Sequence, residues 1–284
     1  MHGKLDMNFA RPVIQLLLAS CLVAVAASAA LAQTPRAPYV PSSGQAGKDV
    51  VWVPTATVMV DKMLEIAKVT PEDYVIDLGS GDGRNVIAAA KRGAQALGVE
   101  YNNDMVEYSR RAAEMEGVAD KALFVQGDMY EADISRATVM ALFLLTENLR
   151  RLRPKLLGLR PGTRIVANTF GIEGWTADET HKVEGDCGYW CVALLYIVPA
   201  RVAGTWRLPQ GEIKLEQNFQ TLSGTLSSGG ASIPIANGRL RGDQIRFTVG
   251  GADYAGRVNG DTMQGHVKGA TIGAWTATRL LAVP

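Results

Sequence analysis

The sequence predicts an α/β fold built on a mostly parallel sheet, followed by a small all-β antiparallel domain. Three observations carry that expectation. Short apolar runs alternate with stretches of helical spacing between residues 56 and 198. A glycine turn, Gly79-Ser80-Gly81-Asp82-Gly83, joins the first of these runs to a helix. Beyond residue 201 helical spacing stops, and 14 of the 84 residues there are glycine.

The elements follow in order. Met59, Val60, Met63, Leu64 and Ala67 recur at helical spacing, which predicts an amphipathic helix over 56–68. A strand follows at 74–78, then the glycine turn, then a helix over 84–91 with Gly93 suited to its end. A second strand at 96–100 leads to a helix over 104–116. Further strands are expected at 123–125 and 139–144, a helix over 149–157, and strands at 163–167 and 189–198. Strands alternating with helices imply a sheet covered on both faces, with ligands at the carboxyl ends of the strands.

The C-terminal stretch, 201–284, carries short β-rich runs separated by Asn237-Gly238, Gly242-Asp243 and Asn259-Gly260-Asp261. An internal repeat spans it: Gly238-Arg239-Leu240-Arg241-Gly242-Asp243-Gln244-Ile245 matches Gly256-Arg257-Val258-Asn259-Gly260-Asp261-Thr262-Met263, 18 residues on. That period fits hairpins of a meander curled into a barrel or sandwich. The repeated Arg and Asp read as turn and cross-strand pairs.

At the other end, residues 12–32 carry no charge and 17 apolar side chains, after Lys4 and Arg11. Ala30-Leu31-Ala32 offers the small-x-small pattern of a cleavage site, so 1–32 reads as a secretory signal. An uncut membrane anchor and a lipoprotein attached at Cys21 are the other two readings. Residues 33–49, rich in Pro, Ser and Gly, read as a linker, which leaves 50–200 for the sheet domain. The protein is thus expected to be exported, periplasmic or membrane-anchored. The compartment its catalytic domain faces is left open. The charge is near balance, 29 basic against 28 acidic residues, and argues against a nucleic-acid partner. The sum hides a split: −3 over residues 1–200 and +4 over 201–284.

The glycine turn carries the chemistry. Its glycines let a ligand approach the backbone. The spacing is Gly-x-Gly-x-Gly, which disfavours a dinucleotide-linked oxidoreductase. Asp77 sits in the strand just before the turn, and Glu100 ends the second strand, where a carboxylate can accept from ribose hydroxyls. Asp128 follows the third strand in Gly127-Asp128-Met129, placed to accept from an adenine amino group. These residues, with Leu159-Arg160-Pro161-Gly162-Thr163 before the fifth strand, resemble the class I S-adenosylmethionine-dependent methyltransferases over roughly 50–200.

The resemblance implies a Rossmann-like, mostly parallel seven-stranded sheet with S-adenosylmethionine as cofactor. It implies cofactor contacts from Asp77, Gly79, Ser80, Gly81, Gly83, Glu100, Asp128 and Met129. A narrower resemblance runs through Val51-Trp52-Val53-Pro54-Thr55, the glycine turn with Arg84, Leu144-Leu145-Thr146-Glu147-Asn148 and Leu152-Arg153-Pro154-Lys155-Leu156. This order is similar to the mitochondrial-type protein-lysine methyltransferases and their bacterial relatives. It departs from them at Thr146-Glu147, where a Pro is expected after the Leu pair.

A lysine must be neutral to attack a methyl group, which requires desolvation or a base. The loop after the fourth strand faces the methyl group in this fold. Glu147, as base, and Asn148, as orienting group, are therefore the catalytic candidates, with a helix-dipole role as the alternative for Glu147. The acceptor is expected to be a protein, a membrane protein among the choices, or a small molecule. An exported binding protein that keeps the fold without activity is a third reading. Membrane association would run through residues 12–32. Cys187 and Cys191, four apart and too distant for a disulfide if the chain is extended there, read as two free thiols, although a turn at Gly188 would bring them together. His181 and His266 have no ligand partners in the sequence, and no metal is expected.

Overall fold

The computed structural model describes residues 39–269 and 272–280. The signal-like segment 1–32 and Cys21 lie outside the described residues.

Alternating burial sets the sheet. In β1 (Tyr74–Leu78), Val75 packs into one apolar layer and Ile76 and Leu78 into the other. A strand buried on both faces reads as a continuous apolar run, as this one does. β2 (Gln95–Glu100) and β3 (Ala122–Gln126) extend the sheet on one side; β4 (Val139–Leu142) and β5 (Arg164–Asn168) extend it on the other, all parallel. β6 (Glu179–Lys182) and β7 (Val192–Ile197) complete it, with order β3-β2-β1-β4-β5-β7-β6 and β7 antiparallel to both neighbours. The expected seven-stranded sheet is present.

Helices α1 (Thr57–Ile66), α2 (Arg84–Lys91) and α3 (Asn103–Met115) cover one face through Met59, Met63, Val86, Ala89, Val106 and Ala113. Helix α4 (Thr146–Leu156) covers the other through Leu149, Leu152 and Leu156. The strand order reverses between β1 and β4. That reversal opens a crevice at the carboxyl edge of the sheet.

Two expectations fail in the same segment. The long strand expected over 189–198 begins only at Val192, and β6 has no counterpart among the expected strands. Cys187 and Cys191 are not free thiols: they form a disulfide with Cα atoms 5.3 Å apart. The cause is a turn, with Gly188 at φ +58° folding the chain back so that Trp190 N–H donates to the Cys187 carbonyl. Four residues in a turn span far less than four residues of strand.

The C-terminal part closes an eight-stranded antiparallel barrel of β8 (Gly204–Leu208), β9 (Gly211–Asn218), β10 (Thr221–Ser228), β11 (Ala231–Arg241), β12 (Gln244–Val249), β13 (Ala252–Asn259), β14 (Thr262–Lys268) and β15 (Gly273–Arg279). Trp206, Ile213, Leu240, Ile245, Phe247 and Met263 fill it. The repeat falls on two alternate hairpins, β11–β12 and β13–β14, with two-residue turns at Gly242-Asp243 and Gly260-Asp261. Its charges form a staircase. Arg257 of the second copy pairs with Asp243 of the first, Asp261 pairs with Arg279, and Arg239 reaches out of the barrel to Asp178.

Candidate active site

The crevice at the carboxyl edge is a cavity whose walls come from several places in the chain. Residues 45–55 form one wall, the glycine turn a second, the ends of β2 and β3 a third, and Phe143 and Leu144 after β4 the far side. Asn85 and Met105 add to the helix side.

The glycine turn needs glycine for two reasons. Gly79, Gly81 and Gly83 have φ of +70°, +55° and +81°, a region other residues resist. Space forbids a side chain as well: a Cβ at Gly83 would lie 2.6 Å from the Phe124 ring, and one at Gly81 would lie 2.2 Å from Trp52 Nε1. The Gly81 carbonyl accepts from Ser109 Oγ at 3.0 Å, which fixes the turn to α3.

The carboxylates divide by environment. Asp77 is buried, and burial raises its pKa well above the usual carboxylate range. The hydrogen bond from Asn85 Nδ2 (3.0 Å) opposes that rise, and the charges of Glu100 and Asp82 add to it. Glu100 has its two oxygens oriented by backbone: Gly81 N–H donates to Oε2 at 3.0 Å and Asn102 N–H to Oε1 at 2.9 Å. Asp128 accepts from Lys48 Nζ at 2.5 Å and from Tyr130 N–H at 2.8 Å, and Lys48 above all holds it below its usual pKa.

Of the residues expected to contact the cofactor, Asp77, Gly79, Ser80, Glu100, Asp128 and Met129 line this one cavity. Gly81 and Gly83 shape the turn behind it. The catalytic pair is placed differently. Glu147 lines a separate shallow depression with Thr146, Arg150 and Glu173. Its carboxylate is held by Arg150, which lowers its pKa and makes it a weaker base. Its place in the first turn of α4 fits the dipole role instead. Asn148 is buried and donates to Tyr130 Oη at 2.9 Å; it does not line the cavity.

Sequence reasoning misses the strap, residues 45–54. Its first part falls in the expected linker, yet Lys48 sits on Asp128 and 5.0 Å from the Tyr101 ring centre. Gly44 N–H donates to the Trp52 carbonyl, and Trp52 N–H donates to the Gln45 carbonyl. Arg84 ties the strap down: it donates to the Thr55 carbonyl and pairs with Asp82. The apolar Val50-Val51-Trp52-Val53 run, unusual beside a linker, is the signal that could have found it.

The walls suit a nucleoside with an attached amino acid. Ser80 Oγ and Asn85 Oδ1 are buried at the cavity without a hydrogen-bond partner, and a native site rarely leaves such groups unused. Backbone kept bare by glycine, two carboxylates at successive strand ends and unsatisfied polar atoms between them fit S-adenosylmethionine.

Comparison with known proteins agrees. Residues 77–179 match the ANTKMT methyltransferase domain. A protein-lysine N-methyltransferase of Saccharolobus islandicus is 47% identical over 138 residues, covering 48% of this chain and 86% of that one. A Xenopus laevis lysine N-methyltransferase of the ATP synthase C protein is 37% identical over 128 residues, 45% of this chain and 56% of that one. An adenine nucleotide translocase lysine N-methyltransferase of Mus musculus is 30% identical, again over 56% of its length. The chain therefore spans little more than half of these animal relatives. Among solved structures, an RNA methyltransferase from Salinibacter ruber with bound S-adenosyl-L-homocysteine is 43% identical with a TM-score of 0.50, covering 53% of this chain and 96% of that one. With nearly the whole archaeal enzyme matched, the chain belongs to the protein-lysine methyltransferase family of class I S-adenosylmethionine-dependent enzymes.

Proposed function

We propose that the protein transfers methyl groups from S-adenosylmethionine to lysine side chains of a protein, with membrane proteins as the acceptor class. The observation that carries this is the single cavity that gathers the glycine turn, Glu100 and Asp128. The relatives' acceptors, the C protein of ATP synthase and the adenine nucleotide translocase, support a protein acceptor.

When bound, the cofactor supplies an electrophilic methyl group on a sulfonium. The chain's own residues position it. The backbone of the glycine turn and Ser80 receive the amino-acid end, with Asp77 beneath. Glu100, whose orientation is fixed by two backbone N–H groups, accepts from the ribose hydroxyls. Asp128 accepts from the adenine amino group, and Met129 packs against the ring. Held in this way, the cofactor would present its methyl group in line to a neutral amine, so orientation by these residues supplies much of the rate. Desolvation of the amine favours its neutral form, its proton passing to solvent water, while Glu147 is held by Arg150 in a separate depression.

A second reading, RNA as acceptor, draws on the Salinibacter neighbour. Incubating the full chain with tritiated S-adenosylmethionine and fractionated lysate separates the two. Label recovered as methyl-lysine after acid hydrolysis supports the proposal. Label confined to RNA or to small molecules overturns it, and tight cofactor binding with no transfer supports a non-catalytic binding protein.

We further propose that the chain is exported or held at a membrane by residues 12–32. The Cys187–Cys191 disulfide supports a compartment outside the reducing cytosol. Among the described residues no helix is long and apolar enough to cross a membrane. N-terminal sequencing of the mature chain tests this: a start at Met1 in a soluble protein with reduced cysteines would contradict it.

A further inference from the structure

Along the carboxyl edge of the sheet, β3, β2 and β1 lead into Asp128, Glu100 and the glycine turn. The next three positions on that edge carry aromatic rings. Phe143 directly follows β4, Phe170 lies two residues past β5, and Trp190 lies two residues before the antiparallel β7. The rings touch one another. Phe143 and Phe170 stack with centroids 6.2 Å apart, and Trp190 meets Phe143 edge-on at 5.8 Å. All three are half-buried, and Phe143 also lines the cofactor cavity beside Leu144. Tyr189, next to Trp190, is 93% exposed. Folding alone gives no reason to leave a run of aromatic rings open beside a cavity.

We propose that Phe143, Phe170 and Trp190 form the slot that receives the acceptor lysine, and that the Cys187–Cys191 disulfide holds its Trp190 wall. The proposal rests on the lysine reading above and deepens it. The adenine, ribose and amino-acid ends are assigned to β3, β2 and β1. The reacting methyl group therefore faces onward along the same edge, toward β4, β5 and β7. Ring faces pack the four methylenes of a lysine stem. The ring faces attract the incoming ammonium by cation–π contact, and the loss of water around it lowers its pKa, so that its proton passes to solvent before attack. After transfer, the nitrogen is a methylated cation that the same faces hold by cation–π attraction. A slot of this kind needs no acidic residue, in keeping with Glu147 lying outside the cavity.

The disulfide matters because of what it encloses. Trp190 lies inside the five-residue ring from Cys187 to Cys191, and its N–H donates to the Cys187 carbonyl at 3.1 Å. The Val183 N–H donates to the Cys191 carbonyl, which joins the ring to the chain leaving β6. Opening the disulfide frees one wall of the slot and leaves the cofactor walls, on β1 to β3, in place.

The test uses the full chain, tritiated S-adenosylmethionine and poly-L-lysine as acceptor, with S-adenosylhomocysteine binding measured by calorimetry. Trp190→Ala is expected to lower kcat/KM for poly-L-lysine by about 10–100-fold, the range of one desolvated cation–π and packing contact. Its affinity for S-adenosylhomocysteine should stay within about two-fold. Trp190→Phe, which keeps a ring face, should recover most of the loss. The double variant Cys187→Ser, Cys191→Ser should raise KM for the polymer several-fold at unchanged kcat. Equal kcat/KM in Trp190→Ala and wild type overturns the slot, and equal KM in the double Ser variant overturns the role of the disulfide. A wild-type chain that binds S-adenosylhomocysteine yet labels lysine neither in the polymer nor in lysate proteins sinks the lysine reading itself. That outcome is visible before any variant is made.

Discussion

Asp77 shows how a buried carboxyl at the edge of a cavity is held at a cost to the fold. Its carboxyl is buried, and its pKa in the folded chain lies well above the unfolded value. The folded state then binds the proton more tightly, so stability is full below the unfolded pKa and falls as pH rises through the folded one. Asp77→Asn keeps an acceptor for Asn85 and removes the titration. The ligand-free variant should melt above wild type at pH 8, by about 2–4 °C for each kcal/mol recovered, and should match it near pH 4. Its affinity for S-adenosylmethionine should drop because the cationic amino-acid end loses its counter-charge. Thermal melts and calorimetry across pH check both; a pH-independent difference in melting temperature would refute the account. Asp77, Glu100 and Asp128 are legible in the sequence because each sits at a fixed offset from a strand end. Lys48 is not, since it meets Asp128 across 80 residues of sequence. Glu147 is legible only in part for a related reason: its helix position is visible, but the direction of its side chain depends on Arg150 and on packing.

At the scale of elements, the glycine turn and the strap act as two halves of one holder. The turn carries no side chain where Trp52 lies against Gly81, and a Cβ there would meet the indole. Gly81→Ala is therefore expected to push Trp52 off the turn and to weaken S-adenosylhomocysteine binding by about ten-fold or more, the effect of roughly 1.4 kcal/mol. A circular dichroism spectrum like that of wild type would show that the sheet survives. The strap itself is short: a pair of backbone hydrogen bonds closes it on itself, and Lys48 and Arg84 fasten it to the rest. Loops with so few buried contacts open locally. Limited proteolysis should cut within residues 42–54 first, and saturating S-adenosylhomocysteine should slow that cut. Trp52→Ala should remove the protection. Cutting unaffected by ligand would mean that the strap does not close on the cofactor. Strands and helices with strong apolar periods are readable from sequence to within a few residues. β6 escapes because Glu179-Thr180-His181-Lys182 has no apolar face, as an edge strand needs none. The turn at Gly188 is visible in the sequence but loses to an extended reading because Tyr189-Trp190-Cys191 runs on into the apolar strand.

For the molecule as a whole, the sequence separates a sheet domain from a β domain but says nothing of how they join. The junction is specific. Trp175 stacks on Phe219 at 5.6 Å, Gln220 Nε2 donates to the Thr176 carbonyl, and Arg241 pairs with Glu179. At its centre the Asp178 side chain is 1% exposed, accepting from Arg239 of β11 and from the Ile197 N–H of β7. Arg239 belongs to the internal repeat. Its counterpart Arg257 pairs within the barrel, so one copy of the repeated charge has been turned outward to fasten the two parts. Removing it should leave a buried carboxylate short of a donor. Arg239→Ala is expected to cost about 1–3 kcal/mol, toward the lower end because the arginine itself is partly solvent-facing. Scanning calorimetry should show wild type melting in one transition and Arg239→Ala in two, as the barrel and the sheet uncouple. The double change Asp178→Asn with Arg239→Met removes the buried charge along with its partner and should restore part of the loss. A single, unshifted transition in Arg239→Ala would mean that the aromatic stack and the Gln220 contact hold the junction without it. The barrel would then owe its place to packing, and the outward turn of the repeat would be incidental.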